Sequence, residues 1–396
     1  MPLILTINGG SSSIRFALFN DGHPPTRLLQ GKLDRIGTAQ ASMRVSRADD
    51  APTEVPITGQ QPRAAIAALA QWLKAHVAGA EPQAIGHRIV HGMQRQQSEK
   101  ATAGVLADLK RIEPYDPEHL PQELELIEAL RHQYPQAEQV VCYDTAFHRD
   151  LPRVARQLPI PRRFEALGVR RYGFHGLSYT YLFEELQRLD ATVAAGKVIL
   201  AHLGGGASLA AVLNGRSVDT SMGFTPTAGI MMGTRSGDLD PGLLGFLSRH
   251  EGLSGAQIQK LVNHESGLLG VSDSSADVRD LLQREAGDPR AREALDLYCY
   301  LIKKWVGSFA AALGGVDALV FAGGVGENAH EVRARACAGM EFLGIELDAA
   351  RNRAGAGLIS AQAAKVQVRV IRTDEESIIA RETQRVLQLD TTTGAQ

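Results

Sequence analysis

The sequence predicts an α/β protein built from two lobes that repeat one structural unit. An apolar strand, a loop of glycine and serine, and a second apolar strand occur at residues 3–20 and again at 198–215. Ser208 in the second copy falls where Ser13 falls in the first. Strand and helix patterns alternate after both copies, which is typical of α/β domains. The length of 396 residues also favours two domains over one.

Composition narrows the class of protein and its partners. Hydrophobic residues make up 44% of the chain and charged residues 22%, as in ordinary globular proteins. The net charge of -2 predicts no general attraction to nucleic acid or to a membrane, so any anion site must be local. Three dispersed cysteines without a CxxC pair, no signal-peptide pattern and no apolar run of membrane-spanning length favour a soluble cytoplasmic protein.

The secondary structure is predicted from apolar periodicity and from the positions of proline and glycine. After the first hairpin we expect a helix over 62–78, a strand over 83–92, helices over 107–112 and 121–134, and a strand over 139–145. The second round is predicted to contain a strand over 196–203, helices over 256–265 and 290–313, strands over 318–322 and 366–371, and a closing helix over 375–389.

A basic run that contains two prolines, at 158–164, marks the passage between the lobes. The closing helix is expected to pack on the lobe where the chain begins. The first lobe is therefore predicted to comprise 1–150 and 377–396, and the second lobe 151–376.

Two of the three glycine-rich loops lie in the repeated hairpins. Turns without side chains leave backbone N–H groups free to face an anion. The first loop, NGGSSS at 8–13, is followed by Arg15; it could hold hydrated Mg2+ or a phosphoryl oxygen, or be a plain tight hairpin. The second loop is HLGGG at 202–206. A phosphate held by both lobes is the function that this repeat indicates.

The third loop, GGVGEN at 323–328, lies between a predicted strand and a predicted helix N-terminus, with Glu327 and Asn328 in the turn. The same region matches the dinucleotide fingerprint GxGxxA. We discount that interpretation because a lone fingerprint is weak and leaves the two hairpin loops unexplained. No GxxxxGK[ST] motif occurs, which excludes a P-loop.

Several charged residues stand in contexts that suit phosphoryl transfer. Arg88 in GHRIVHG and Arg235 in GTRSGD could bind carboxylate or phosphate oxygens, or form ordinary salt bridges. Asp144, at a strand end, could anchor Mg2+ or orient an arginine, and His175 could donate to a phosphoryl group. A satisfied core hydrogen bond is the alternative for either residue. In the acidic pair that opens the closing helix, Glu375 and Glu376, one carboxylate could cap the helix and the other could face a metal.

Taken together, the segments INGGSSS, GHRIVHG, YDTAFH, RRYGFHG, HLGGGAS, SMGFTPTAG, GTRSGDLDPG, GGVGEN and DEES resemble the acetate kinase family of short-chain carboxylate kinases. The resemblance runs from Ile4 to about Thr383. It implies the two-lobed, duplicated actin-like ATPase fold, which is ribonuclease H-like, with the active site in the cleft between the lobes. It also implies reversible in-line transfer of the ATP γ-phosphate to acetate, with Mg2+ or Mn2+, by a homodimer.

The resemblance further implies a role for each residue at a matching position. The first lobe would carry the acyl substrate and the metal, and the second lobe the nucleotide and the dimer contact. The implied catalytic residues are Arg88, Asp144, His175 and Arg235, and the implied metal ligands are Asn8 and Glu375. The walls of the acyl pocket would be Val90, Phe174 and Pro226. The implied nucleotide-binding residues are Arg15, His202, Leu203, Gly204, Gly205, Gly206, Asp277, Val278, Arg279, Gly324, Val325, Gly326, Glu327 and Asn328.

One segment departs from the family pattern. Where the family usually reads APLHNP, this chain reads EPYDPEHLP at 113–121, so we expect Tyr115 or Asp116 to replace the second active-site histidine, with His119 aligned to a later position. The aliphatic pocket residue before that histidine is lost as well. Two alternatives to acetate kinase activity therefore stay open: a kinase for another short-chain acid such as propionate, and a nucleotide-binding relative with weakened catalysis. Further departures are Arg15 for lysine, Gly205 for asparagine and Asp374 for asparagine.

Overall fold

The computed structural model describes residues 2–10, 13–36, 38, 40–47, 52–57, 62–77 and 81–389. The chain forms two compact units, Met1–Ala146 with Asp374–Gln396, and Phe147–Thr373. Ser11 and Ser12 of the first glycine loop lie outside the described residues.

Strands and helices are numbered along the chain. The strands are β1 Leu3–Gly9, β2 Ile14–Asn20, β3 Arg27–Asp34, β4 Ser42–Arg47, β5 Thr53–Pro56, β6 Ala84–Ile89, β7 Glu99–Lys100, β8 Glu138–Tyr143, β9 Lys197–Leu203, β10 Ala207–Leu213, β11 Arg216–Thr220, β12 Ala318–Ala322 and β13 Gln367–Val370. The helices are α1 Pro62–His76, α2 Ala103–Arg111, α3 Leu120–Gln133, α4 Arg153–Arg156, α5 Gly176–Leu189, α6 Ala191–Ala194, α7 Pro241–His250, α8 Gly255–His264, α9 Gly267–Ser272, α10 Val278–Arg284, α11 Pro289–Leu313, α12 Gly323–Asn328, α13 His330–Cys337, α14 Ala349–Arg353 and α15 Glu375–Leu387.

In the part of the first unit that the structure describes, eight strands form one sheet in the order β5-β4-β3-β2-β1-β6-β8-β7. β1, β2 and β3 are successive antiparallel neighbours, whereas β6 and β8 extend the sheet from β1 in the parallel direction. Because β1 is buried on both faces, its apolar side chains alternate between two layers. Leu5 packs in the cluster that contains Leu69 of α1 and Leu130 of α3, while Ile4 packs with Ala380 of α15.

The described strands of the second unit repeat this topology in a smaller sheet of order β11-β10-β9-β12-β13. β9, β10 and β11 are antiparallel neighbours, β12 is parallel to β9, and β13 is parallel to β12. The succession is therefore the same as β3-β2-β1-β6-β8 in the first unit. The predicted α/β class and the predicted duplication are confirmed, and both glycine loops of the repeat join the two central strands of a sheet.

The unit boundaries differ from the predicted ones at both crossings. Residues 374–376 belong with the first unit, because Asp374 is the N-cap of α15 and its carboxylate contacts the guanidinium of Arg27. At the other crossing the second unit begins at residue 147 and not at 151. The His148 ring explains this shift, since its Nδ1 lies 2.8 Å from the Ser217 hydroxyl in β11.

Helix positions follow local signals in most places. α2 begins earlier than predicted because the Thr102 hydroxyl caps it by accepting the N–H of Val105 at 3.3 Å. α11 is long and ends at Gly314, whose φ of 68° breaks the helix in the left-handed region. Across the described ranges, no helix has both the length and the apolar character needed to cross a membrane.

Gly86 of β6 faces α15 at a close approach. A Cβ at this position would contact the Thr383 hydroxyl and would lie 2.6 Å from Cγ2 of Ile379. We expect Gly86→Ala to lower the free energy of unfolding by about 1–3 kcal/mol, the usual cost of overpacking a core. Urea denaturation measures this change.

Gly104→Ala is the matched control in the same unit. Gly104 is exposed near the start of α2, and its Cβ would lie 3.9 Å from the Thr102 hydroxyl. This substitution should leave the free energy of unfolding unchanged or raise it by up to about 1 kcal/mol. Equal effects of the two substitutions would contradict the close packing of α15 on β6.

Candidate active site

Arg88 is the central cation of the first unit. It lies on β6, where its Nη2 donates to Asp144 Oδ2 at 2.8 Å and its Nη1 to the carbonyl of Gly9 at 3.1 Å. The two charged side chains are 15% and 1% exposed. Burial lowers the pKa of Arg88, but Asp144, Glu375 and Glu123 outweigh this effect and raise the pKa above its ordinary value. Arg88 is therefore a fixed cation, and its buried Nε makes no hydrogen bond among the described residues.

Asn8, the next-to-last residue of β1, lies beside two carboxylates. Its Nδ2 donates to Glu375 Oε2 at 2.7 Å and to Glu376 Oε1 at 3.2 Å. Burial and the neighbouring Glu375 raise the pKa of Glu376, and Arg15, which pairs with Asn8 across β1 and β2, opposes this. The structure therefore brings the two predicted metal ligands together and adds Glu376.

The donor set at Asn8 fits a hard cation. Mg2+ prefers oxygen ligands and is commonly held by one or two carboxylates together with phosphate oxygens and water. Within the described residues no group of three or more His, Cys, Asp or Glu side chains could hold a metal ion alone. Glu375 and Glu376 would thus supply part of a coordination sphere that a nucleotide and water complete.

The segment 113–121, which differs from the family pattern, leads into the start of α3 in the first unit. Tyr115 ends a short 3-10 turn, and the buried Asp116 follows it. Asp116 Oδ1 lies 2.8 Å from Nδ1 of His119, while Oδ2 is buried without a hydrogen-bond partner in the described ranges. Replacement of the family histidine by Tyr115 or Asp116 stays a prediction. His119 itself lies immediately before α3 and is only 12% exposed.

Sequence reasoning missed Glu123, which is 4% exposed. Its two carboxylate oxygens accept the N–H of Val90 at 3.1 and 3.2 Å, so it holds the predicted acyl-pocket residue in place. Burial raises the pKa of Glu123 to about 8, and Arg88 opposes the shift. One feature of the sequence could have indicated this role: Glu123 is an acidic residue on the apolar face of α3, between Leu120 and Ile127.

His175 is the first group of the second unit's candidate site. It precedes α5 with a φ of 60°, a left-handed conformation that is uncommon outside glycine. Its Nδ1 lies 2.8 Å from the Ser208 hydroxyl of β10. The ring stacks on His202 of β9 with centroids 4.3 Å apart, and His202 Nδ1 lies 2.8 Å from the hydroxyl of Ser178. Two predicted site histidines are therefore neighbours, each held by a serine.

The second glycine loop approaches these histidines and Arg235. A Cβ placed on Gly206 would lie 3.4 Å from His175 Nε2 and 3.6 Å from Arg235 Nη1. A Cβ on Gly204 would lie 3.7 Å from His202 Nε2 and 4.0 Å from the backbone nitrogen of Gly324. The structure thus gathers the loop, both histidines, Arg235 and the start of α12 within a few ångströms.

The remaining predicted residues of this unit surround the loop. Arg235 Nη1 donates to the carbonyl of Pro226 at 3.2 Å, and the buried Phe174 accepts from His148 Nε2 at 3.1 Å through its carbonyl. Both predicted pocket walls of this unit are therefore anchored by their backbones. Leu203 is the last residue of β9, and Gly205 lies in the loop that follows it.

The third glycine loop is helical, which corrects one prediction. Glu327 and Asn328 were expected in a turn before a helix, but both lie inside α12. The reason is Gly323, whose φ of 75° turns the chain directly from β12 into the helix. Glu327 Oε1 accepts the N–H of Gly323 at 3.0 Å and that of Thr373 at 3.1 Å, so its carboxylate braces the backbone.

A buried arginine that sequence reasoning missed supports the end of α12. Arg333 Nη1 donates to the carbonyls of Gly326 at 2.8 Å and Glu327 at 3.0 Å, and its Nε donates to Asn352. Burial lowers the pKa of Arg333. Val325, the remaining predicted nucleotide residue of this helix, is half-buried. No sequence pattern distinguished Arg333 from a surface arginine on a short helix.

The segment predicted to lie beside adenosine begins α10. Asp277 caps this helix by accepting the N–H of Arg279 at 2.8 Å, and the two side chains form an ion pair at 2.5 Å. The hydrogen bond from Arg279 lowers the pKa of Asp277. Val278 is buried. A Cβ on Gly233 would lie 3.1 Å from the carbonyl of Ala276 and 3.4 Å from that of Gly205, which connects this segment to the glycine loop.

Two repeated α/β units with glycine loops between their central strands define a two-lobed actin-like ATPase fold. The model of the acetokinase family matches residues 3–381. The chain therefore belongs to the acetokinase family, whose members are ATP-using phosphotransferases with a carboxyl group as acceptor.

Named relatives cover almost the whole chain. The propionate kinase of Citrobacter rodentium is 42% identical over 400 residues, covering 99% of this chain and 98% of the relative. The acetate kinase of Rhodopseudomonas palustris is 42% identical over 394 residues, covering 97% and 98%. Solved structures agree: an acetate kinase from Porphyromonas gingivalis has a TM-score of 0.88 at 38% identity, covering 98% of this chain and 100% of that one. A propionate kinase from Francisella tularensis has a TM-score of 0.91 at 34% identity, with the same coverage.

The raised pKa of Glu123 predicts a pH-dependent stability. Its carboxyl group holds a proton up to about pH 8 when folded but only to about pH 4.5 when unfolded. The unfolded chain therefore binds fewer protons between these values, and stability from this group is lost as pH rises through that window. Glu123→Gln removes this titration. As the pH rises through the window, the free energy of unfolding of the variant should therefore increase relative to that of the wild type, by at most about 1.4 kcal/mol per pH unit. Urea denaturation at pH 5 and pH 8 measures the difference.

Glu128→Gln provides the control on the same helix. Its side chain is 64% exposed, so its removal should change stability equally at both pH values. A difference between Glu123→Gln and wild type that is the same at pH 5 and pH 8 would refute the shifted titration.

Proposed function

We propose that this protein transfers the γ-phosphate of ATP reversibly and in line to acetate, giving acetyl phosphate and ADP. The observation that carries the proposal is the convergence at Gly206, where an imidazole nitrogen and a guanidinium nitrogen flank one glycine loop. A glycine loop supplies backbone N–H groups to phosphates, and two side-chain donors beside it suit a phosphoryl group in transfer.

Phosphoryl transfer requires mainly positioning and charge stabilisation, because its transition state is loose and spreads negative charge over the phosphoryl oxygens. In this proposal His175 and Arg235 donate to those oxygens. Arg88, a fixed cation with an unused buried N–H, binds the carboxylate of the acid. Asp144 orients Arg88 through their ion pair. Mg2+, held by Asn8, Glu375 and Glu376, would neutralise charge on the nucleotide phosphates when bound.

The nucleotide is proposed to bind the second unit. The backbone of Gly204–Gly206 and the start of α12 would contact its phosphates, since Gly204 and Gly324 lie close to each other. Asp277, Val278 and Arg279 would border the adenosine. Arg15 would add positive charge from β2 of the first unit. The prediction that the reaction takes place between the lobes stays a prediction.

A homodimer formed through the second unit is also proposed. Leu239, Leu243 and Phe246 expose apolar side chains at and just before α7, with Phe246 50% exposed. Three large apolar side chains on one short segment favour burial against another surface.

We also propose, as an alternative to the predicted replacement by Tyr115 or Asp116, that His119 serves as the second active-site histidine. The run DPEHLP at 116–121 places Pro117, His119 and Pro121 at the spacing of the two prolines and the histidine in APLHNP. The burial of His119 and its contact with Asp116 support a defined role for this side chain. This alignment removes the reason to expect weakened catalysis.

One residue, Glu118, supports a second candidate substrate beside acetate. In the same alignment Glu118 takes the position of the aliphatic pocket residue that precedes the histidine. A half-buried carboxylate is a poor neighbour for a methyl group but a good acceptor for a hydroxyl group. A short hydroxy acid is therefore the second candidate substrate, and propionate is the third, from the names of the relatives.

The first test is acyl phosphate formation by purified protein, trapped as hydroxamate with acetate, propionate, butyrate and small hydroxy acids. We expect Arg235→Ala to lower kcat by about 10^2- to 10^3-fold, the usual effect of removing a transition-state donor. Arg216→Ala, an exposed arginine of β11, is the matched control and should keep full activity. No product from any acid, with nucleotide binding still seen by calorimetry, would leave the non-catalytic alternative as the function.

A second test concerns the identity of the acid. If Glu118 borders the acyl group, Glu118→Leu should raise kcat/KM for acetate and propionate about 10-fold, because a well-fitted methylene contact in a pocket contributes 1–3 kcal/mol. The same variant should lower kcat/KM for any hydroxy acid that the wild type phosphorylates. If Glu118→Leu changes kcat/KM by the same factor for every acid, Glu118 does not line the acyl pocket.

A further inference from the structure

A chain of hydrogen-bonding groups leads from the interior of the second unit to His175. The hydroxyl of Tyr179 lies 2.5 Å from the Ser208 hydroxyl, which lies 2.8 Å from Nδ1 of His175. Tyr179 and Ser208 are both 0% exposed. The Tyr179 ring packs against Phe147 and the ring of His148, each with centroids 5.6 Å away. This series of hydrogen bonds therefore lies in a buried, aromatic environment. Hydrogen bonds are strong there, and a polar group left without a partner is destabilising.

The direction of the hydrogen bonds in this chain follows from the chemistry of its members. The Ser208 hydroxyl has one hydrogen, so it can donate to only one of its two neighbours and must accept from the other. A phenol with a pKa near 10 is a better donor than an aliphatic hydroxyl. Tyr179 therefore donates to Ser208, and Ser208 donates to Nδ1 of His175. An Nδ1 that accepts a hydrogen bond carries no proton, which puts the proton of the neutral ring on Nε2.

The Nε2 atom is the one that matters for the proposed reaction. It lies 3.4 Å from a Cβ placed on Gly206, and Arg235 Nη1 lies 3.6 Å from the same point. Stacking on His202 and the backbone conformation at His175 keep the ring in this orientation. A proton on Nε2 lets His175 donate to a phosphoryl oxygen, whereas the other tautomer would present a lone pair to it.

We propose that Tyr179, acting through Ser208, is a positioning residue that holds His175 as its Nε2–H tautomer. The inference deepens the proposed function and rests on it for the role of His175 as a phosphoryl donor. The tautomer itself is a property of the free protein and can be measured without turnover.

The test combines spectroscopy with kinetics. In protein labelled with 15N-histidine, protonated and unprotonated ring nitrogens have well-separated shifts, and His175→Gln assigns the signals. At a pH where the ring is neutral, we expect Nε2 of His175 to be protonated in the wild type. Tyr179→Phe and Ser208→Ala should each shift the ring toward a mixture of tautomers. Both should lower kcat about 10- to 100-fold, as for other groups that orient a contacting ligand, with KM for ATP unchanged.

Tyr298→Phe is the matched control for loss of a buried phenol. Tyr298 is buried in α11 of the same unit, and its hydroxyl has no hydrogen-bond partner among the described residues. It should leave the His175 spectrum and kcat unchanged. Unfolding midpoints of all variants separate a folding defect from a positioning effect, and the tautomer is read in the folded protein.

Two results would overturn the inference: a wild-type His175 protonated on Nδ1, or a Tyr179→Phe variant whose His175 spectrum matches the wild type. Failure of the proposed function has a different signature, since hydroxamate would then be absent in the wild type whatever the ring nitrogens show. A wild-type Nε2–H tautomer that is lost in both variants, with kcat reduced, supports the inference.

Discussion

The molecule depends on a repeated constraint, the burial of a two-stranded hairpin at the centre of each sheet. β1 and β2 in the first unit, and β9 and β10 in the second, pair along seven residues each and are covered by neighbours on both sides. Their backbone groups are therefore satisfied by strands except at the loop. The N–H groups of Gly10 and Gly204 close the turns by donating to the carbonyls of Ser13 and Gly206, and residues at the hairpin ends, such as Asn8 and Ser208, are held by rigid strands.

In the described part of the first unit, several buried carboxyl groups lie around one arginine, Arg88. Asp144, Glu123 and Glu375 all act on Arg88, and Glu123 responds with a pKa near 8. Such an arrangement is costly unless the charges are compensated, because desolvation opposes every buried ion. A metal at Glu375 and a carboxylate substrate at Arg88 would redistribute these charges, which is consistent with a site that is completed by its ligands. The second unit instead gathers serine hydroxyls, imidazole rings and a glycine loop beside Arg235.

Much of this arrangement was predictable from the sequence, and the exceptions have physical reasons. The repeat at 3–20 and 198–215 predicted both central hairpins, and the family motifs predicted that His175, His202 and Arg235 serve one site. The bond between Glu123 and Val90 joins residues 33 positions apart, and the bond between Asn8 and Glu376 joins residues 368 positions apart. No local pattern encodes such pairs, because they depend on how α3 and α15 pack on the sheet. The helical form of GGVGEN was missed because a single left-handed glycine removed the expected turn.

The sequence by itself determined the α/β class, the duplication, the membership of a carboxylate kinase family and the residue types of the site. Periodicity and short motifs encode these features, since they depend on neighbours along the chain. Only the tertiary structure decided that residues 374–376 belong with the first unit, that Glu123 supports Val90, and that Tyr179 reaches His175 through Ser208. These contacts depend on the distance between side chains brought together by packing, and such distances are not a property of any one stretch of sequence.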